Sequence, residues 1–185
     1  MTDTQLKETL NDLVKLPSES EWVEFKLNFH SPEEIGERIS ALSNGACIHN
    51  QPYGYLVFGV EDRTHIIKGT TFKAKTHKKK NEDLEHWLAT RVNPRIDFQV
   101  HEFDYDATRH ISIYIIPAAK TQPVEFLHQA YIRINTITRK INDFPEKQAK
   151  IWKKDSKPFE KEIAMDNLSV SDITHFLSAE TYFDL

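Results

Sequence analysis

Apolar residues first recur at helical spacing. Leu6, Leu10, Leu13 and Val14 share one face of residues 4–15, and Pro17 ends the run. The period then changes to two. Val23, Phe25, Leu27 and Phe29 alternate with Trp22, Glu24, Lys26 and Asn28, which predicts a half-buried strand with Glu24 and Lys26 side by side on its polar face. Ser31-Pro-Glu-Glu34 opens a second helix, with Ser31 as cap, Pro32 in the first turn and Glu34 closing a capping box. Ile35, Ile39 and Leu42 form its apolar stripe, and Asn44-Gly45 is expected to stop it. Gly54–Val60 is apolar on both faces, as a central strand covered on both sides would be. His65–Gly69 is expected to return as a short hairpin partner. A helix over 81–92, capped by Asn81, turns Leu84, Trp87, Leu88 and Val92 inward and breaks at Asn93-Pro94. Strands follow near 95–104 and 109–116 around the turn-like Asp104-Tyr-Asp-Ala107, and Val124–Leu127 with Ala130–Asn135 reads as a last hairpin. This order predicts an α+β fold, a mixed and largely antiparallel sheet with packed helices.

Residues 1–144 read as one domain. Residues 145–160 are rich in Lys, Glu and Pro and read as a linker, after which Ser169-Val-Ser-Asp172 caps an apolar run through Ile173, Phe176 and Leu177. The stretch 145–185 is thus expected to be a linker and C-terminal helix leading to a further domain. The plainer alternative is a helix that packs back on the first domain. With 39% hydrophobic and 28% charged residues, the composition is that of a globular protein. No apolar run reaches membrane-span length, and no basic-then-apolar leader opens the chain. The single Cys47 cannot form an intrachain disulfide, which fits a reducing compartment, so a cytoplasmic location is expected. The net charge of −4 excludes a general polycation, and any surface for nucleic acid must be a local patch.

Two sets of residues could carry chemistry. Glu19, Glu24 and Asp62 are carboxylates at neighbouring strand ends, a type of set that can hold Mg²⁺ or Mn²⁺, and Lys26 could steady charge on a phosphodiester. On spacing alone the plainer reading is favoured: a Glu24–Lys26 surface pair and a turn at Asp62. The second set is basic. Lys73, Lys75, His77, Lys78, Lys79 and Lys80 crowd one segment that could contact several phosphates, although such runs are usually solvated loops. Arg133, Arg139 and Lys140 add a second group, with Arg133 expected beside Tyr131 and Asn135 on the exposed face of the last hairpin. The nine histidines show no metal-ligand spacing, and no Gly-rich loop of the P-loop type occurs.

Taken in order, Glu19-Ser-x-x-Val-Glu24-Phe-Lys26, Ile39-Ser-Ala-Leu-Ser-Asn44, Gly54-Tyr-Leu-Val-Phe-Gly-Val-Glu-Asp62 and Tyr131-Ile-Arg133 resemble the Schlafen AlbA-like domain over about residues 15–140. That domain also opens bacterial transcriptional regulators and RecG-related proteins. The resemblance implies a domain that binds nucleic acid, DNA or RNA, as the N-terminal part of such a regulator, through Lys73, Lys75, Lys78, Lys79, Lys80, Arg133, Arg139 and Lys140. The alternative it implies is a Mg- or Mn-dependent endoribonuclease of the Schlafen type, acting on structured RNA such as tRNA. Its catalytic and metal positions would fall on Glu19, Glu24 and Asp62, with Lys26 in support. Vertebrate Schlafens pair two related lobes, so a single lobe implies a homodimer. Two places depart from the family pattern. The loop Asn44–Gly54 is longer and carries Tyr53 in place of a glycine, and Asn135-Thr-Ile-Thr-Arg139 replaces small residues after the last hairpin.

Overall fold

Thr2 caps the first helix, α1 (Asp3–Val14). Its hydroxyl accepts from the Gln5 N–H while the Gln5 side chain accepts from the Thr2 N–H. The structure, a computed structural model, describes residues 1–16, 20–29, 31–154 and 169. Strand β1 (Val23–Lys26) leads into the long helix α2 (Pro32–Ile48), capped by the Ser31 hydroxyl, and β2 (Tyr53–Phe58) returns parallel to β1 with Glu24 opposite Leu56. A two-stranded ribbon, β3 (Lys78–Lys79) and β4 (Glu82–Asp83), runs into the short helix α3 (Leu84–Ala89). Then come β5 (Val92–Asn93), β6 (Gln99–Asp104), β7 (His110–Pro117), β8 (Glu125–Phe126), β9 (Gln129–Ile134) and β10 (Ile137–Lys140). A 3-10 turn over Ile141–Asp143 and helix α4 (Pro145–Lys153) follow.

The strands form two four-stranded sheets, ordered β1-β2-β7-β6 and β10-β9-β8-β5. Among the described residues the β1–β2 pair alone is parallel, and the fold is α+β with mixed and antiparallel sheets. Alternation sorts the first sheet into two apolar faces. Val23, Phe25, Val57, Ile111, Ile113 and Ile115 pack with Leu6, Leu10 and Leu13 of α1. Leu56, Phe58, Tyr114 and Ile116 face the other way, into a core shared with Ile35, Ile39 and Leu42 of α2 and with Phe126 and Ile132 of the second sheet. Helix α2 therefore packs against both sheets. The polar residues it carries on that inner side must find partners inside the protein.

The structure departs from the periodic reading in several places. Helix α2 does not stop at Gly45 but continues to Ile48. A Cβ at Gly45 would collide with the Glu21 carbonyl oxygen, so this glycine serves the close approach of the segment entering β1, not a helix end. Helix α3 is shorter than expected, begins at Leu84 with no side-chain cap from the preceding Asp83, and releases the buried Val92 into β5. The return after β2 is reduced to one bridge between Val60 and Ile67, next to Gly59 and Gly69 with φ of 107° and 84°. Strand β10 was not anticipated. Asn135, at φ 55°, turns the chain back on β9, a conformation Asn tolerates better than most residues. Within the stretch read as a linker, Pro145–Lys153 is helical and Ile151 is fully buried, and the compact unit runs from Met1 to Asp155. The expected C-terminal helix through Ile173, Phe176 and Leu177 lies outside the described residues.

Candidate nucleic-acid interface

Because Val23 and Phe25 point toward α1, Glu24 must point to the opposite face of β1. That face is not solvent. It is covered, and Glu24 is only 2% exposed. Three cations converge on its carboxylate. Lys26 Nζ lies 3.0 Å from Oε1, Arg38 Nε on α2 donates to Oε1 at 2.9 Å, and Arg133 Nη1 on β9 donates to Oε2. Arg38 also donates to Glu34 Oε2 at 2.7 Å, one turn earlier on α2. Lys26 stands 3.7 Å from Asp62 Oδ2, just beyond β2. Burial pushes the Glu24 carboxyl up, but the charges of Arg133, Arg38 and Lys26 together outweigh it and hold its pKa below the ordinary carboxylate range.

Arg133 is thus not on an exposed face. It is 0% exposed and joins the second sheet to β1 through Glu24, so its side chain cannot reach a nucleic acid in this conformation. The physical reason is the partner it meets: the Glu24 carboxylate of β1, which Arg38 of α2 also reaches, takes the Arg133 side chain out of water. Arg38 played no part in the sequence reading. The only signal for it was the Glu34-to-Arg38 spacing of four on a helix.

The Glu24–Lys26 pair that the spacing favoured is present, but it is buried rather than at the surface. Lys26 bridges Glu24 and Asp62, while Glu19 lies outside the described residues. Glu24, Glu34 and Asp62 are balanced by Lys26, Arg38 and Arg133, so the described part of the site carries no surplus of negative charge to attract a divalent ion. Both Glu24 oxygens already serve cations. The described residues therefore do not fit a Mg²⁺ or Mn²⁺ site, and among them no three His, Cys, Asp or Glu side chains gather as a metal site.

The motif on α2 is also internal. Asn44 donates its amide to the Val124 and Tyr131 carbonyls at 2.9 and 2.8 Å and accepts from the Val124 N–H at 2.8 Å. Ser40 donates to the Val124 carbonyl at 2.6 Å and accepts from the Tyr131 N–H at 2.9 Å, while Ser43 donates to the Pro117 carbonyl at 2.7 Å. Ser40 and Asn44 satisfy backbone groups where the second sheet meets the helix, and Ser43 does the same at the end of β7 in the first sheet.

The basic segment lies outside this buried network. Lys73, Lys75, Lys78 and Lys80 are exposed, and Lys79 is half-buried. Lys79 pairs with Glu33 at the start of α2, and Lys78 lies 3.8 Å from Asp83. The ammonium groups of Lys73, Lys75 and Lys80 form no ion pair among the described residues, while the Lys75 backbone N–H donates to Glu102 Oε1 at 3.1 Å. Lys73 also borders an open hollow of about 440 Å³ with Asn28, Phe29, Thr71, Phe72, Thr76 and His77. Arg139 and Lys140 are both exposed on β10. As neighbours in one strand they point to opposite faces and do not make one patch with each other.

The family model described as "Schlafen, AlbA_2" matches residues 19–142. One similar solved structure is that of the DIP2311 protein from Corynebacterium diphtheriae, 19% identical, with a TM-score of 0.42. The match covers 74% of this chain and 26% of that one, so the chain spans about a quarter of that protein's length. No curated protein matches the chain.

Proposed function

Because the chain belongs to the Schlafen, AlbA_2 family, we propose that it binds nucleic acid, DNA or RNA, through the basic segment from Lys73 to Lys80. One observation carries this reading: Lys73, Lys75 and Lys80 are exposed within eight residues, and their ammonium groups form no ion pair with a carboxylate among the described residues, although the Lys75 backbone N–H donates to Glu102 Oε1 at 3.1 Å. Unpaired surface cations release counterions when they meet phosphates, and that release drives sequence-blind, salt-dependent binding. Arg139 and Lys140 can contribute only from separate faces of β10, and Arg133 contributes to the interior. The reading of a homodimer at the start of a longer transcriptional regulator or RecG-related protein rests on the resemblance alone, and that of a cytoplasmic location on the single Cys47.

Anisotropy of labelled oligonucleotides at several salt concentrations tests the proposal. Replacing Lys73, Lys75 and Lys80 together by Ala is expected to weaken binding and to lower the slope of log K against log salt by about 2, at roughly 0.7 per lost single-strand contact. Unchanged affinity and slope in that variant would reject the reading.

A second reading is a metal-dependent endoribonuclease. What favours it is Asp62, whose side chain is 51% exposed beside Lys26. Against it stands the occupation of both Glu24 oxygens by cations. Incubation of tRNA with the protein and Mn²⁺, beside an active nuclease as control, separates the two. Intact tRNA removes the enzyme reading and leaves the binding reading in place.

A further inference from the structure

Trp87 on α3 is the clue. It is only 7% exposed, for it packs in the core edge-on to Phe126, and two cations lie against its ring: Lys79 Nζ stands 4.9 Å from the ring centroid and Arg91 Cζ 4.7 Å. Arg91 is further tied down, its Nη1 donating to the Trp87 carbonyl at 2.9 Å and to the Thr90 hydroxyl at 2.8 Å. With Lys80, Asn81 and Glu82 these residues line a hollow of about 360 Å³ beside the β3–β4 ribbon.

The charges are unequal. Lys79, Lys80 and Arg91 supply three positive charges. Glu33 pairs with Lys79, and Glu82 lies 3.6 Å from Arg91, which leaves one positive charge over. That surplus sits on Lys80, which is exposed and has no carboxylate partner among the described residues. Cation–π contact holds the Lys79 and Arg91 head groups in place before any ligand arrives, so less side-chain freedom is lost on capture. The guanidinium also presents donors in a planar fork suited to phosphate oxygens.

We propose that Lys79, Lys80 and Arg91, held by Trp87, form a phosphate subsite that grips the backbone of a bound nucleic-acid strand. The inference rests on the binding reading above and adds Arg91 and Trp87 to it. Neither belongs to the basic segment. The ligand is a phosphodiester within a chain, and contact is made to the backbone rather than to a base, because the Trp87 ring is already covered.

The test uses the full chain and a labelled single strand of roughly 12 nucleotides, with anisotropy read across a salt series. Arg91→Ala and Lys80→Ala are each expected to weaken binding roughly threefold or more and to reduce the salt slope by about 0.7. Lys15→Ala, which removes the same charge just beyond α1, is expected to leave both unchanged. Since Arg91 also contacts backbone, Arg91→Lys and the exposed Lys80→Ala guard against a folding artefact, with thermal unfolding measured for each. If the wild type binds but Arg91→Ala and Lys80→Ala keep its slope, the subsite is overturned while the binding reading stands. If the wild type binds no oligonucleotide, both fall. Inorganic phosphate, added at constant ionic strength, is expected to displace the strand only weakly. Complete displacement at low millimolar concentration would instead identify a free-anion site and overturn the assignment to a chain.

Discussion

Replacing Glu24 by Gln keeps the shape of the side chain and removes the one negative charge on which Lys26, Arg38 and Arg133 converge. Breaking a buried ion pair from one side costs about 3–5 kcal/mol, because the remaining charge stays out of water. The lower end applies here. Gln retains one acceptor, and the side chains of Arg38 and Lys26, 17% and 20% exposed, can turn toward solvent, whereas that of Arg133 cannot. We expect a loss of about 3 kcal/mol at pH 7. With a urea m-value of about 2 kcal/mol/M, the unfolding midpoint falls by about 1.5 M.

The pH dependence provides an internal check. The folded-state pKa of Glu24 is lowered, so its contribution is fully present above the ordinary carboxylate pKa of about 4.3 and is lost as pH falls through the lower folded value. The difference in stability between wild type and Glu24→Gln is therefore flat above about pH 5 and shrinks on further acidification. Urea titrations followed by tryptophan fluorescence measure both quantities. A loss below about 1 kcal/mol at pH 7 would show that the cluster behaves as a surface pair, and a gap that stays constant into acid would show that Glu24 is not the group responsible.

Two other substitutions probe the frame around this cluster. Gly45→Ala should raise helix stability by about 1 kcal/mol on propensity alone, yet the added Cβ meets the Glu21 carbonyl. A net destabilisation of about 1–3 kcal/mol, seen as a lower melting temperature, is expected, and a higher one would contradict the packing. Ile151→Ala is expected to cost about 2–4 kcal/mol, because this α4 side chain is fully buried. An unchanged melting temperature would mean that α4 is not anchored to the core.

Periodicity alone determined a good part of this protein. The α1 stripe, the Ser31 cap, the double-sided apolar strand β2 and the β6–β7 pair were all legible, because each depends on residues close in sequence that share one face of one element. The exposed lysines of the Lys73–Lys80 segment were legible too, since a dense charge run rarely leaves water. What covers a polar face was not legible. The alternation in β1 shows that Glu24 and Phe25 face opposite ways, but only the tertiary arrangement brings Arg133, 109 positions later, onto that carboxylate. Gly45 likewise looked like a helix stop until the Glu21 backbone was seen against it. Short-range sequence pattern specifies which way a side chain points from its own element. The partner it meets there is set by how elements distant in sequence pack, and at Glu24 that packing replaced water with three cations.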